Sequence, residues 1–151
     1  MVARRLLGSH EEADEAAQVT FVRAWRGLER FRGEAALRTW LMRIVLNVAR
    51  SARSERRPSD GLEDCAALAD AAEPADERLR REQARQRVRA AVAALPPRQR
   101  EVVALKVFSE LSYSEVAAAM ELTEGAVKAH LHQAVANLRR RLCRVEQGRP
   151  A

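Results

Sequence analysis

Lysine is almost missing from these 151 residues: of the 27 basic side chains only Lys106 and Lys128 are lysines, and the rest are arginines. Aromatic residues make up 4% of the chain, and there are two cysteines, Cys65 and Cys143. Two distant cysteines with no Cys-x-x-Cys spacing give neither a disulfide framework nor a zinc finger, so both read as free thiols. No apolar run approaches the roughly 18 residues of a membrane span, and the start, Met1-Val-Ala-Arg-Arg-Leu-Leu-Gly8, lacks the long apolar stretch of a signal peptide. A cytoplasmic protein without membrane insertion is expected. There is no Gly-x-x-x-x-Gly-Lys-Ser/Thr phosphate loop and no recognisable spacing of nucleophile, base and orienting group, so the chain does not read as an enzyme and no catalytic residue or cofactor is expected. His130 and His132 are two apart, roughly 200° around a helix, and do not easily share an ion; no metal site is expected.

What is present is positive charge, and it is segregated. The 27 Lys+Arg exceed the 21 Asp+Glu by a net +6, which favours a polyanionic partner such as nucleic acid. Arginine forks suit phosphates and guanine edges, but a GC-rich genome gives the same bias, so the preference for arginine carries no weight here. Arg38 to Arg57 holds six arginines and one acid, Glu55, whereas Pro58 to Glu77 holds seven acids and no base. That second stretch contains Pro58, Gly61 and Pro74 and few large apolar residues, so it buries too little to offset its ordering entropy and reads as a mobile acidic linker.

Both flanks read as helices, giving an all-α chain of two small modules, each with a modest core. Before the linker, Ala17, Phe21, Ala24 and Leu28 recur at helical spacing, with Phe21 pointing inward. A loop with Gly33 separates this helix from a second, roughly Leu37 to Arg53, whose stripe Leu37, Leu41, Ile44, Val45 and Val48 packs on the first as a hairpin. After the linker, an Arg-rich helix from about Glu77 to Ala94 stops at Leu95-Pro96-Pro97, and another runs to about Phe108. Ser112-Tyr-Ser-Glu115 fits a capping box opening a short helix to Met120, and Thr123 can cap the last helix, with Val127, Leu131, Val135, Leu138 and Leu142 in one stripe. Two helices joined by Glu121-Leu122-Thr123 have helix-turn-helix spacing.

Two constellations carry functional content. Lys128, Ala129, His132 and Gln133 stand off the apolar stripe of the last helix; Gln133 suits adenine, Lys128 suits guanine or phosphate, and His130 suits backbone, although a solvated polar face has the same pattern. Trp40, Arg43, Asn47 and Arg50 line one side of the second helix. An aromatic with arginines and an amide is what an unstacked strand requires, although Trp40 at the edge of the stripe is equally a core residue.

Glu12-Ala-Asp-Glu-Ala-Ala-Gln-Val-Thr-Phe-Val-Arg-Ala-Trp25, Arg30-Phe-Arg-Gly-Glu-Ala-Ala-Leu-Arg-Thr-Trp-Leu-Met-Arg-Ile44 and Asn47 resemble region 2 of extracytoplasmic-function (ECF) sigma factors. Leu95-Pro-Pro-Arg-Gln-Arg-Glu-Val102, Leu111-Ser-Tyr-Ser-Glu-Val-Ala117 and Glu124-Gly-Ala-Val-Lys-Ala-His-Leu-His132 resemble region 4 of the same group. The resemblance implies region 2 over 1–55, the linker over 56–77, a four-helix region 4 over 78–145 and a tail over 146–151. It implies docking on the clamp of the RNA polymerase core by Asp14, Glu15, Gln18 and Arg23, with the polymerase flap as a further contact. The loop from Phe31 and Arg32 to Ala36, with Trp40, Arg43, Asn47 and Arg50, would capture the non-template strand of the −10 element. Lys128, Ala129, His130, His132 and Gln133 would read the −35 element, with Arg98 and Arg100 on its backbone. An anti-sigma protein is a further expected partner.

Two departures from the family stand out. Only Val2 to Leu7 occupy the place of a further long first helix, whether because the true start lies upstream or because the chain is a short form; part of the core around Phe21 and Ile44 should then be exposed. Glu121 occupies a turn position that is often glycine in the family, at a cost on the order of 1 kcal/mol if its φ is positive. A response-regulator-type duplex binder shares Val127-Lys-Ala-His-Leu-His132 but leaves Arg30 to Asn47, Trp25 and Trp40 unexplained. A protein-only adaptor that never touches DNA is the third reading.

Overall fold

A computed structural model describes residues 2–55 and 75–147, and the described elements are all helices. They are α1 (Val2–Leu7), α2 (His10–Leu28), α3 (Leu37–Glu55), α4 (Ala75–Ala93), α5 (Pro97–Lys106), α6 (Tyr113–Met120) and α7 (Glu124–Gln147). Residues 56–74, most of the expected linker, lie outside the described residues, as do Cys65 and 148–151; Ala75 to Glu77, read as linker, already belong to α4. None of the described helices is long and apolar enough to cross a membrane.

Local chemistry sets the helix ends. Ser9 caps α2 by accepting the Glu12 N–H at 3.4 Å, after Gly8 has turned the chain through φ 86°. Gly33, at φ 73°, turns the loop into α3. Pro97 stands in the first turn of α5, where its missing N–H costs nothing. The α6 capping box is complete: the Ser112 hydroxyl accepts the Glu115 N–H at 3.1 Å, and the Glu115 carboxylate accepts the Ser112 N–H at 2.7 Å. Thr123 accepts the Ala126 N–H at 3.2 Å and so caps α7.

The first hairpin packs one residue out of the register read from its large apolar side chains. On α2 the buried line is Ala13, Ala16, Thr20 and Ala24, small residues that let α3 approach, and Thr20 is satisfied internally by donating to the Ala16 carbonyl at 2.6 Å. Phe21, expected inside, is 71% exposed, and Leu28 and Leu37 are about half exposed. Ile44 stays partly buried against the core. On α7 the buried positions are Val127 and Ala134, flanked by Leu131 and Leu138, while Val135 is exposed. Alanines and a threonine have little hydrophobic signal, and the reading followed bulk where the helices followed closeness of approach.

The two modules do not stand apart. Leu6, Leu7, Ala16, Leu46 and Val48 from α1 to α3 form one buried cluster with Val102, Leu105, Leu111, Val116, Met120 and Val127 from α5 to α7. Helix α1 packs on α5 and α3 packs on α6.

Removing the α6 cap tests this local account. Ser112→Ala should lower unfolding stability by about 1 kcal/mol in urea melts. Hydrogen bonds from the Ser112 N–H and hydroxyl hold the Glu115 carboxyl below its ordinary pKa. A carboxyl lowered in this way stabilises above its unfolded pKa and loses that contribution as pH falls through the folded value. Glu115→Gln should therefore flatten the acid limb of stability against pH, and an unchanged acid limb would contradict the capping box.

Candidate nucleic-acid interface

Three surfaces carry the expected site residues. On α2, Asp14, Glu15 and Gln18 are exposed and share an arc of roughly 100°, with Asp14 held by His10 Nδ1 at 3.0 Å. Arg23 is also exposed but stands outside that arc, roughly 80° beyond Glu15. The arc continues into Val22 and Trp25, which sequence reasoning left out, and Trp25 is 79% exposed. Beside it, Phe21, Ala24, Trp25, Leu28, Leu37, Trp40 and Leu41 line an open apolar groove of about 220 Å³. A row of large apolar residues without a buried register partner was the available signal.

Along α3 the expected face splits in two. Trp40 turns toward the loop, its ring 5.1 Å from that of Phe31, and a side chain at Gly27 would come within 3.0 Å of the Trp40 ring. Trp40 is thus half-buried, part wall of the groove and part aromatic surface beside the exposed Arg32. The rest of the face meets the second module. Arg50 makes a two-pronged contact with Glu101, Nε to Oε1 at 3.0 Å and Nη2 to Oε2 at 2.9 Å. The Glu101 side chain is 4% exposed, and Arg98 shares its Oε2 at 3.4 Å. This hydrogen bonding raises the Arg50 pKa against the opposing effect of burial. Arg43 donates to the Ala118 carbonyl at 2.7 Å and stands 3.7 Å from Glu121. Asn47 is exposed and accepts from Arg50 at 3.4 Å.

The third surface is the start of α7. Lys128, Ala129, His132 and Gln133 are exposed together, and His130 is half-buried at their edge. Lys128 Nζ lies 5.3 Å from the Tyr113 ring centre. Sequence reasoning missed the buried Gln99, which donates to Gln133 at 3.4 Å and accepts from Asn137 at 2.7 Å, so that α5 orients a polar side chain of α7. Arg98 lies on the surface, whereas Arg100 turns inward. Its guanidinium donates to the carbonyls of Leu6 at 3.3 Å and Leu95 at 3.1 Å and also to that of Ala93, and burial, aided by Arg53, pushes its pKa down to about 10. In this arrangement Arg100 ties helix ends together and is not presented with the α7 surface.

Glu121 adopts the left-handed conformation, φ 58° and ψ 46°, and the Leu122 N–H closes the turn on the Ala117 carbonyl at 2.9 Å. The two helices are therefore joined as a helix-turn-helix with an acidic residue at the strained position. Among the described residues no cluster of three metal-binding side chains occurs.

Comparisons with known proteins agree with this geometry. The family model for Sigma-70 region 2 matches residues 1–58, and that for Sigma-70, region 4 matches residues 85–138. The RNA polymerase sigma-H factor of Pseudomonas aeruginosa is 32% identical over 141 residues, 86% of this chain and 72% of that protein. The chain belongs to the ECF group of the sigma-70 family. The ECF RNA polymerase sigma-E factor of Escherichia coli is 32% identical over 134 residues, 82% of this sigma factor and 70% of that one. Among solved structures, CnrH in complex with the cytosolic domain of CnrY superposes with a TM-score of 0.69 at 30% identity, covering 93% of this chain and 77% of that one. The sigma factor RpoE in complex with the anti-sigma factor NepR, from Bartonella quintana, gives a TM-score of 0.74 at 24% identity over 93% and 87% of the two chains, a likeness of fold. The protein is thus an RNA-polymerase-binding, promoter-recognising sigma factor, and the response-regulator reading, which leaves residues 1–58 without an explanation, is not favoured.

The left-handed Glu121 gives a stability test of the sigma factor's turn. Glu121→Gly should raise unfolding stability by roughly 0.5–1 kcal/mol, because glycine removes the left-handed penalty while the exposed pair with Arg43 contributes little. A loss of stability in urea melts would show that the carboxylate matters more than the backbone.

Proposed function

We propose that this sigma factor divides promoter recognition among the three surfaces described above. Asp14, Glu15, Gln18 and Arg23 dock on the polymerase clamp, with the two acids facing basic residues of that partner, where complementary charge steers encounter. Phe31, Arg32, Trp40, Arg43, Asn47 and Arg50 hold the non-template strand of the −10 element. Lys128, Ala129, His130, His132 and Gln133 read the −35 element in the major groove, with Arg98 on its backbone and Gln99 setting the angle of Gln133. Arg100 reaches the −35 backbone only after leaving its three carbonyls.

The observation that carries this reading is the chemistry of the α3 face. Arg43 and Arg50 are satisfied there by oxygen acceptors, a backbone carbonyl and a carboxylate, an aromatic pair stands at one end, and the amide of Asn47 is exposed between. Melting follows from differential binding: an unstacked strand gains stacking and phosphate contacts that duplex DNA does not offer, so the equilibrium shifts toward the open state by that difference. Nucleotide chemistry belongs to the core enzyme, and this chain supplies binding energy and no catalytic step. The site of action is the cytoplasm, where polymerase works. A protein regulator of the kind that RpoE has in NepR is the expected further partner.

Two substitutions test the assignment. Asn47→Ala together with Trp40→Ala should abolish permanganate reactivity of −10 thymines while leaving polymerase binding intact, and normal reactivity would remove the α3 face from melting. Gln133→Ala should relax preference at one −35 base pair by ~1–3 kcal/mol, with Gln99→Ala giving a partial loss at the same pair. Unchanged base preference in both variants would exclude that role.

A further inference from the structure

Four polar side chains form a hydrogen-bonded line that begins and ends on the exposed side of α7 and passes through α5. Arg140 donates to Asn137 Oδ1, Asn137 Nδ2 donates to Gln99 Oε1 at 2.7 Å, and Gln99 Nε2 donates to Gln133 Oε1 at 3.4 Å. Gln99 is 8% exposed, and both ends of its amide are used, as burial of an amide requires. Gln133 and Arg140 are exposed and stand seven residues, roughly 10 Å, apart on the same side of α7 as Ala129.

An amide turns either its oxygen or its NH2 to a neighbour, so a chain of amides can run in two directions. Here one end decides. The Arg140 guanidinium only donates, so Asn137 turns its oxygen to Arg140 and its NH2 to Gln99. Gln99 then turns its oxygen to Asn137 and its NH2 to Gln133. Gln133 meets that NH2 with its oxygen, and its own NH2 has no partner among the described residues.

We propose that Arg140, Asn137 and Gln99 are positioning residues that fix Gln133 as a hydrogen-bond donor, so that it selects a keto base, guanine or thymine, at one −35 position. The inference deepens the assignment of Gln133 to the −35 element and rests on it. In the major groove guanine O6 and N7 and thymine O4 accept hydrogen bonds, whereas adenine N6 and cytosine N4 donate them. An unengaged glutamine pairs with adenine by accepting from N6 and donating to N7. With the Gln133 oxygen turned to Gln99, the accepting half of that pair is lost, and the NH2 is left to read acceptor edges. Specificity at that position then depends on three residues besides Gln133.

The test uses the full chain as holoenzyme with core polymerase, selecting bound duplex promoters from a pool randomised at the −35 element. Gln133→Ala first locates the base pair whose preference depends on Gln133. Guanine and thymine always pair with an amino base, so donor readout shows as one orientation of that pair, keto base on the strand facing Gln133, over the reverse. The parent should favour one orientation by about fivefold, the lower end of the range for a side-chain contact to a base. Asn137→Asp removes the NH2 that Gln99 accepts from, so Gln99 turns round to donate to the new carboxylate and Gln133 turns round to donate to Gln99. The Gln133 oxygen then faces DNA, and the reverse orientation of the same pair should be favoured. Arg140→Met releases the direction of the chain, and preference at that pair should fall toward parity. A purely structural role for the network predicts weaker binding with the base order unchanged. That result overturns the proposal, as does loss of preference without reversal in Asn137→Asp or an unchanged ratio in Arg140→Met. Should Asn137→Asp lose helicity, Gln99→Glu replaces it, since a carboxylate there accepts from both neighbours and the same reversal is expected. If Gln133→Ala alters no base preference, the −35 assignment of Gln133 fails and the inference with it, a result distinct from a located pair that does not reverse.

Discussion

The contact between Arg50 and Glu101 is the constraint around which this molecule is arranged. A buried carboxylate without a partner costs several kcal/mol, and here the partner arrives from a different module. Arg98 takes a share of the same oxygen, so Glu101 is satisfied from its own helix and from α3 together. Such a pair adds little net stability compared with apolar packing, but it is demanding in geometry, and that fixes how α3 lies on α5 and α6. The apolar cluster running from Leu6 and Leu46 to Val102 and Val127 supplies the attraction, and the ion pair supplies the register.

That arrangement connects structure with function through charge. On the arginine-rich α3 face Arg50 is held by the chain's own Glu101 carboxylate, and any other anionic partner competes with it on relative free energy. Promoter opening driven by binding alone needs binding energy that is released only on the unpaired strand.

The sequence revealed the elements far better than the contacts between them. The capping box at Ser112, the proline stop before α5, the Thr123 cap and the left-handed Glu121 were all legible, because each depends on residues a few positions apart. Phe21 and Val135 misled because bulk and period were read as burial, whereas Ala13, Ala16, Thr20 and Ala134 fill the actual interfaces. Exposure of Lys128, Ala129, His132 and Gln133 followed from the helical period, but the Gln99 bridge to Gln133 did not, since it joins residues 34 apart. Nor did the pairing of Arg50 with Glu101, 51 residues away, which no local pattern encodes.

The most direct test of the central claim is run-off transcription with purified bacterial core polymerase on a pool of promoter fragments, with and without this chain. Promoter-dependent transcripts that appear only when the chain is added are the predicted result. A chain that binds duplex DNA yet neither associates with core polymerase nor produces such transcripts would contradict the account.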